Sequence, residues 1–283
     1  MAKSDRAAVT ARAAQMRAET ARKERQRTQL IAAVVAVVVI IIAVVVGTVI
    51  ANRPKAAPAA TGSSAALAKL VSIPQATLDA APAPNPNQAP PKLEGGTPLK
   101  DGTKTKVLYV GAEYCPFCAV ERWPLIAALS RFGTFTGLTP TTSSSNDAHP
   151  DTPTFSFKDS TFTSDHVSFQ AVETQDREGK ALQPLEGENA TLFQKFNPGG
   201  GIPWIDYGGT NATNGATVDA NAYDGKTYDQ IMAGILDSTS DLGKTVQPAI
   251  NMITAQICDQ TNGQPSNVCT SQGVLSASVL LKK

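Results

Sequence analysis

Residues 107–124 read "VLYVGAEYCPFCAVERWP" and place two cysteines three positions apart, directly after a run typical of a buried strand. The run at 107–110 is β-branched and aromatic, and residues 119–132 repeat apolar side chains at helical spacing. The stretch therefore predicts a strand, a CxxC segment and a helix. The spacing of Cys115 and Cys118 fits a disulfide staple, half of a metal site or a redox catalyst, so the rest of the chain must separate these alternatives.

The net charge of the chain argues against nucleic-acid binding. The 283 residues carry 25 Lys and Arg against 24 Asp and Glu, a net charge of +1. This balance gives no support to nucleic-acid binding. The charge is uneven, however, because residues 1–29 hold eight basic and three acidic residues, 8 − 3 = +5.

An apolar segment follows this basic tail. Residues 30–51, "LIAAVVAVVVIIIAVVVGTVIA", form 22 positions without a charge. As a helix they would be about 33 Å long, enough to cross a hydrocarbon core of about 30 Å. A cleaved signal peptide would have a shorter apolar region and a small-residue exit site, so we expect a retained single-pass transmembrane helix. The basic flank predicts that residues 1–29 lie in the cytoplasm and that the rest of the chain is extracytoplasmic.

The next segment has the composition of a linker. Residues 52–98 contain nine of the nineteen prolines, separated mainly by Ala, Gly, Ser and Asn. We expect a Pro/Ala-rich linker over 52–92, interrupted by one short helix at 72–80 with Ser72 as its cap. The folded extracytoplasmic domain is then expected over 93–283.

Strand and helix patterns alternate through this domain, which predicts an α/β fold with a mixed sheet flanked by helices. The expected helices include one with an Asn cap at Asn189, and "GIPWIDYGG" with "GATVDA" is expected to form a hairpin. The other expected elements are strands at 137–142 and 166–174 and helices at 189–197, 228–236 and 242–260.

Two of these motifs carry a resemblance to the thioredoxin superfamily. "AEYCPFC" resembles the "AEWCGPC" active-site segment of thioredoxins, and "GIPWID" resembles the loop that carries the cis-proline of that superfamily, which would be Pro203. Residues 70–280 are more broadly similar to a prokaryotic family of anchored thioredoxin-like proteins, domain of unknown function nine-twenty-nine. The resemblance implies a thioredoxin-like sheet, with an insertion between the CxxC helix and the cis-proline strand because Cys115 and Pro203 are 88 positions apart.

The chain also departs from the superfamily pattern. Tyr109 stands where thioredoxins place a buried carboxylate that helps to move the proton, so the proton route is left open. The dipeptide Pro116 and Phe117 between the cysteines is closest to the Pro-Tyr of glutaredoxins.

Redox chemistry at the pair has a physical basis. Cys115 would lie at a helix N-terminus, where unpaired N–H groups and the helix dipole favour the thiolate, and Cys118 would be the resolving thiol. A structural disulfide and a metal half-site stay open as alternatives. The expected catalytic residues are Cys115, Cys118 and Pro203. The expected substrate-binding residues are Pro116, Phe117, Ile202 and Trp204. Ile202 would offer a main-chain edge to the substrate, and Trp204 would face the active-site groove.

Other residues are expected to have structural roles. Trp123 is expected in the core, Glu113 in solvent, and His149 and His166 at structural or surface positions. Cys258 and Cys269 bracket a turn-forming segment, and in an extracytoplasmic domain a structural disulfide is favoured over a second redox pair.

The sequence thus predicts a membrane-anchored extracytoplasmic thiol-disulfide oxidoreductase. Its expected partners are extracytoplasmic protein thiols or disulfides, the lipid bilayer through residues 30–51 and, as a further option, a membrane redox protein. No cofactor, metal or nucleic acid is expected. The alternative is a non-catalytic thioredoxin-like binding module that carries structural disulfides.

Overall fold

The computed structural model describes residues 60–281. The expected basic tail, transmembrane helix and first part of the linker lie outside these residues. Within residues 60–281, no helix is both long enough and apolar enough to cross a membrane.

The described part of the chain is mixed α/β, with short 3₁₀ turns at Pro86–Gln88 and Ala220–Tyr223. Its elements in chain order are α1 (Ser63–Leu70), α2 (Gln75–Asp79), β1 (Lys100–Asp101), β2 (Lys104–Gly111), α3 (Pro116–Leu129), β3 (Gly133–Thr136), β4 (Thr139–Thr142), β5 (Pro153–Ser156), β6 (Thr161–Ser164), β7 (Val167–Glu173), α4 (Gly187–Phe196), β8 (Trp204–Tyr207), β9 (Asn211–Asn214), α5 (Tyr228–Leu236), α6 (Asp241–Gln260), α7 (Ser266–Cys269) and α8 (Gln272–Leu281).

The main sheet is built around β2. Strand β7 pairs with it in parallel, from Thr105 opposite Val167 to Gly111 opposite Glu173. Strand β8 pairs antiparallel along its other edge, and β9 continues the sheet antiparallel to β8. Residues 107–110 are almost completely buried, as expected for a central strand covered on both faces.

Helix α3 begins at the first cysteine. Cys115 is its N-cap and Pro116 occupies the first helical turn, where the missing N–H of proline costs nothing. The helix thus begins three residues before the predicted start at 119. Trp123 is completely buried, as predicted, and its Nε1–H donates to the carbonyl of Pro153 at 2.9 Å.

The insertion between α3 and β7 consists of two short β-ribbons. Strand β3 pairs antiparallel with β6, and β4 pairs antiparallel with β5. The sequence predicted one strand at 137–142, but Gly137 has φ 77° and separates β3 from β4. Strand β5 lies against α3, where Thr154 Oγ1 donates to the carbonyl of Ala119 at 2.7 Å. The insertion is thereby fixed to the helix that carries the cysteines.

The expected linker contains more structure than its composition suggests. Helix α1 was not predicted, yet Ala66 and Leu70 are buried in the main core together with Leu78 of α2. Ser72 does not cap α2, because Pro74 occupies the N-cap and the Ser72 hydroxyl donates to Ala68 instead. The packed structure therefore extends to well before residue 93.

Two further predictions were wrong in detail. Helix α4 begins at Gly187 with Glu186 as N-cap, and Asn189 lies inside the helix, where its side chain accepts a hydrogen bond from Lys106 Nζ at 3.1 Å. The second strand of the hairpin is Asn211–Asn214 rather than residues 215–220. The turn is tighter than predicted because two glycines with positive φ, Gly208 and Gly209, follow β8 directly.

Candidate functional site

The cysteine pair lies where β2 ends and α3 begins. Cys115 exposes 4% of its surface and Cys118 none, and both are free thiols. Together with Ala112 they form a small apolar cluster, on which Tyr114 and Ile202 pack. Both thiols are therefore buried, and of the two only Cys115 keeps a small exposed area.

Hydrogen bonds distinguish the two sulfurs. The main-chain N–H of Cys118 donates to Cys115 Sγ at 3.1 Å. A hydrogen bond from the Cys118 thiol lowers the pKa of Cys115, and the N–H groups of Cys118 and Phe117 and the charge of Arg122 act in the same direction against burial. Burial, followed by the hydrogen bond to Cys115, raises the pKa of Cys118 well above its ordinary value. The arrangement therefore favours one thiolate, at Cys115.

The loop before β8 completes this side of the site. The peptide bond between Ile202 and Pro203 is cis. Pro203 is buried and Ile202 is half-buried, and the carbonyl of Ile202 lies 3.8 Å from Cys115 Sγ. The structure thus brings the predicted catalytic residues Cys115, Cys118 and Pro203 to one place.

Only part of the predicted substrate surface is exposed. Phe117 is 43% exposed and Ile202 is partly accessible. Pro116 is buried. Trp204 is also buried and packs edge-to-face on Phe193 of α4, because it points to the sheet face that α4 covers. The expectation that Trp204 faces the groove was therefore wrong.

The insertion supplies a wall of the site that the sequence did not predict. The loop between β4 and β5 is joined to the segment before α3 by the N–H of Ser144, which donates to the carbonyl of Tyr114 at 2.9 Å. His149 of this loop lies edge-to-face against Phe117, with ring centroids 5.8 Å apart, and its Nδ1 is 2.8 Å from Asp224 Oδ1. His149 was expected to be a structural or surface residue, and the structure places it at the border of the site.

Arg177 holds the loop between β4 and β5 in place. Its Nε donates to Thr142 Oγ1 at 2.7 Å and its Nη2 to Ser145 Oγ at 2.7 Å, and it forms an ion pair with Asp151. The loop is therefore held on the fold rather than free in solvent.

Glu113 is also better ordered than predicted. Its main-chain N–H donates to Gln175 at 2.9 Å, and its carboxylate accepts a hydrogen bond from Ser156 Oγ of β5. It is half-buried and ties the cysteine loop to the insertion, so the expectation of a freely solvated side chain was wrong.

A buried ion pair lies below the cysteines. The Arg122 guanidinium donates from Nε to Glu173 Oε1 at 2.9 Å and from Nη2 to Oε2 at 2.7 Å, and both side chains are completely buried. Nη2 also donates to the carbonyl of Ala112 at 2.8 Å. Sequence reasoning selected neither residue, although Arg122 is one of two charged residues within the otherwise apolar "AVERWPLIAAL".

A second buried carboxyl lies on the same helix. Glu121 is completely buried and accepts hydrogen bonds from the N–H of Thr217 at 2.7 Å and from its hydroxyl. Burial raises the pKa of Glu121 to about 7, although the hydrogen bonds from Thr217 oppose the shift. This carboxyl is therefore poised to change its charge near neutral pH.

The remaining cysteines are bonded to each other. Cys258 at the end of α6 and Cys269 of α7 form a disulfide across 11 positions. Within residues 60–281, no group of three or more His, Cys, Asp or Glu side chains is arranged to hold a metal ion.

Comparison with known proteins gives one match. Residues 94–198 match the family model described as "Domain of unknown function (DUF929)". The match covers the strand, the CxxC segment, the insertion and α4, and it ends before Pro203. It supports the resemblance to that family of unknown function over well under half of the chain. No curated protein and no solved structure matches the chain.

Proposed function

We propose that this protein is a membrane-anchored extracytoplasmic thiol-disulfide oxidoreductase that acts on protein disulfides through Cys115 and Cys118. The observation that carries the proposal is the difference between the two thiols. Cys115 accepts hydrogen bonds at a helix N-terminus, whereas Cys118 is completely buried one turn later. This is the arrangement that an attacking thiolate and a resolving thiol require.

The strand order supports a thioredoxin-like fold for this site. The CxxC segment follows β2, the strand that lies between parallel β7 and antiparallel β8. Pro203 immediately precedes β8, so the antiparallel pairing brings it to the end of β2 where the cysteines lie. An extended substrate would meet the main chain of Ile202 beside Cys115.

The proposed exchange proceeds in two balanced steps. The Cys115 thiolate attacks one sulfur of a substrate disulfide, so that a mixed disulfide forms and the other substrate sulfur leaves as a thiolate. Cys118 then gives its proton to the substrate thiolate that has been released and attacks Cys115 Sγ, which forms the Cys115–Cys118 disulfide and releases the second substrate thiolate. The substrate is reduced by two electrons and the pair is oxidised, and the reverse sequence oxidises a dithiol substrate.

The experiment is a redox titration of the purified extracytoplasmic domain in glutathione buffers, read by alkylation of Cys115 and Cys118 and combined with a peptide-disulfide exchange assay. We expect a single two-electron transition and exchange that Cys115→Ala abolishes. The Cys258→Ser/Cys269→Ser variant is the matched control, because it removes the other two cysteines. A folded protein that catalyses no exchange in either direction would favour the non-catalytic binding module.

A further inference from the structure

The buried ion pair between Arg122 and Glu173 joins three elements at the cysteine site. Arg122 lies on α3, one helical turn after Cys118. Glu173 is the last residue of β7 and is paired in register with Gly111 at the end of β2. The additional bond from Arg122 Nη2 to the carbonyl of Ala112 fixes the guanidinium under the segment that leads into Cys115.

The guanidinium has hydrogen-bonding capacity left over. Among the residues that the structure describes, none hydrogen-bonds to its buried Nη1 or to the buried hydroxyl of Tyr109. The Tyr109 ring lies 5.8 Å from the Arg122 guanidinium. A completely buried cationic donor without a partner is costly, which indicates a role beyond closing the ion pair.

The charged and titratable groups that interact with the thiols come from three elements. Arg122 from α3 lowers the pKa of both thiols, whereas Tyr109 from β2 and Tyr114 from the loop between them have a pKa that burial, and then the charge of the cysteines, raises. Within residues 60–281, no carboxylate hydrogen-bonds to either thiol, since their partners are main-chain groups and each other. Glu173 acts on this group through Arg122, with which it is paired.

We propose that Arg122 is a positioning residue that stabilises the thiolates of Cys115 and Cys118, and that Glu173 holds it in place and moderates its charge. At a site where Tyr109 occupies the place of the proton-accepting carboxylate, a buried positive charge thus stabilises the Cys118 thiolate directly. This inference rests on the proposed function. In the resolving step, Cys118 gives its proton to the substrate thiolate that has been released and Arg122 stabilises the anion that attacks Cys115, so no proton passes through the guanidinium.

The inference predicts opposite effects from two variants. Glu173→Gln leaves Arg122 without its counter-charge, so the thiolate of Cys115 becomes more stable. The double variant Arg122→Met/Glu173→Gln removes both charges, so the thiolate becomes less stable. A purely structural clamp would weaken the fold in both variants and would not displace the thiol titration in opposite directions.

The test measures the pH dependence of Cys115 alkylation by iodoacetamide in the reduced protein, with folding checked by circular dichroism. We expect the midpoint to rise by about one pH unit in the double variant, which is about a tenfold lower rate below the midpoint, and to fall in Glu173→Gln. Arg131→Met is the matched control, because Arg131 is a half-buried arginine just after the C-terminus of α3 that bonds to Gln75, Thr254 and Ser271. We expect no shift of the midpoint in that control.

A midpoint that is unchanged in the double variant, or that moves in the same direction in both variants, would overturn the inference. If Glu173→Gln does not fold, the double variant carries the test, because removing both partners of a buried ion pair is better tolerated than removing one. Alkylation needs no protein substrate. Its result therefore separates a failure of this inference from a failure of the proposed exchange activity.

Discussion

The main-chain N–H of Cys118 donates to the sulfur of Cys115 across 3.1 Å. This bond exists because Cys115 is the N-cap of α3, so its side chain meets an N–H of the first turn that has no partner within the helix. The same turn that hides Cys118 thus stabilises negative charge on Cys115. The difference between the two thiols follows from their positions in a single helical turn.

The disulfide between Cys258 and Cys269 is expected to stabilise the fold without taking part in exchange. Closing a loop of 11 positions contributes about 3 kcal/mol on a chain-entropy estimate. Cys258→Ser/Cys269→Ser should therefore lower the melting temperature by several degrees and leave exchange at Cys115 intact. Thermal unfolding and a peptide-disulfide assay check both expectations. Loss of exchange in a folded variant would instead identify a second redox pair.

Glu121 is expected to make stability depend on pH. Its pKa is raised from 4.5 to about 7 in the folded protein, so between these values the folded state binds more protons than the unfolded state. The contribution of Glu121 to the free energy of unfolding is complete below pH 4.5. It is lost as the pH rises to about 7, a decline of about 3 kcal/mol. We expect Glu121→Gln to remove this decline in urea unfolding at pH 4.5, 6 and 8.

Asp206 provides a check on that measurement. Burial raises its pKa to about 6, so its contribution to the free energy of unfolding also falls as the pH rises. This fall is the same in the parent and in Glu121→Gln, and it cancels when the two proteins are compared. If the parent and Glu121→Gln lose the same stability over this range, Glu121 is ionised in the folded state and the expectation is contradicted.

Phe117 is expected to contact protein substrates. It is the one residue between the cysteines that is well exposed, and His149 supports its ring. Phe117→Ala should reduce kcat/KM for a protein disulfide by about fivefold, equivalent to about 1 kcal/mol. It should leave alkylation of Cys115 by a small reagent unchanged. Leu275→Ala, which truncates an exposed apolar residue on α8, is the control, and an equal effect of both variants would remove the substrate role from Phe117.

The predicted anchor gives an expectation about topology. A reporter fused after Lys283 should be active only in the extracytoplasmic compartment, because the +5 flank precedes the apolar segment. Deletion of residues 30–51 should leave the fusion in the cytoplasm and serves as the control. Cytoplasmic activity of the full-length fusion would reverse the predicted compartment.

The sequence predicted correctly those elements whose own residue pattern and capping residues are sufficient to define them. Helix α5 has the predicted bounds, and α6 begins one residue before the predicted start, because both carry strong apolar periodicity and have side-chain caps at Thr227 and Ser240. The buried strand β2 was predicted from its β-branched and aromatic run, and the helix after it from its apolar spacing.

Features that depend on partners distant in the chain were not predictable. The four-residue strands of the insertion are stabilised by their partners across each ribbon rather than by a pattern of their own. The contact of Arg122 with Glu173 depends on the parallel register of β2 and β7, which the sequence does not state. The contact of His149 with Phe117 depends in the same way on how the loop between β4 and β5 lies over the site.

Trapping of a mixed disulfide tests the central claim most directly. When Cys118→Ala is expressed in the native host, Cys115 should form covalent adducts with extracytoplasmic proteins, because the thiol that resolves them is missing. Cys115→Ala retains only the completely buried thiol of Cys118 and should form far fewer adducts. The adducts should be visible on non-reducing gels and absent from reducing gels. Equal and negligible trapping by the two variants, with both proteins folded, would contradict the account.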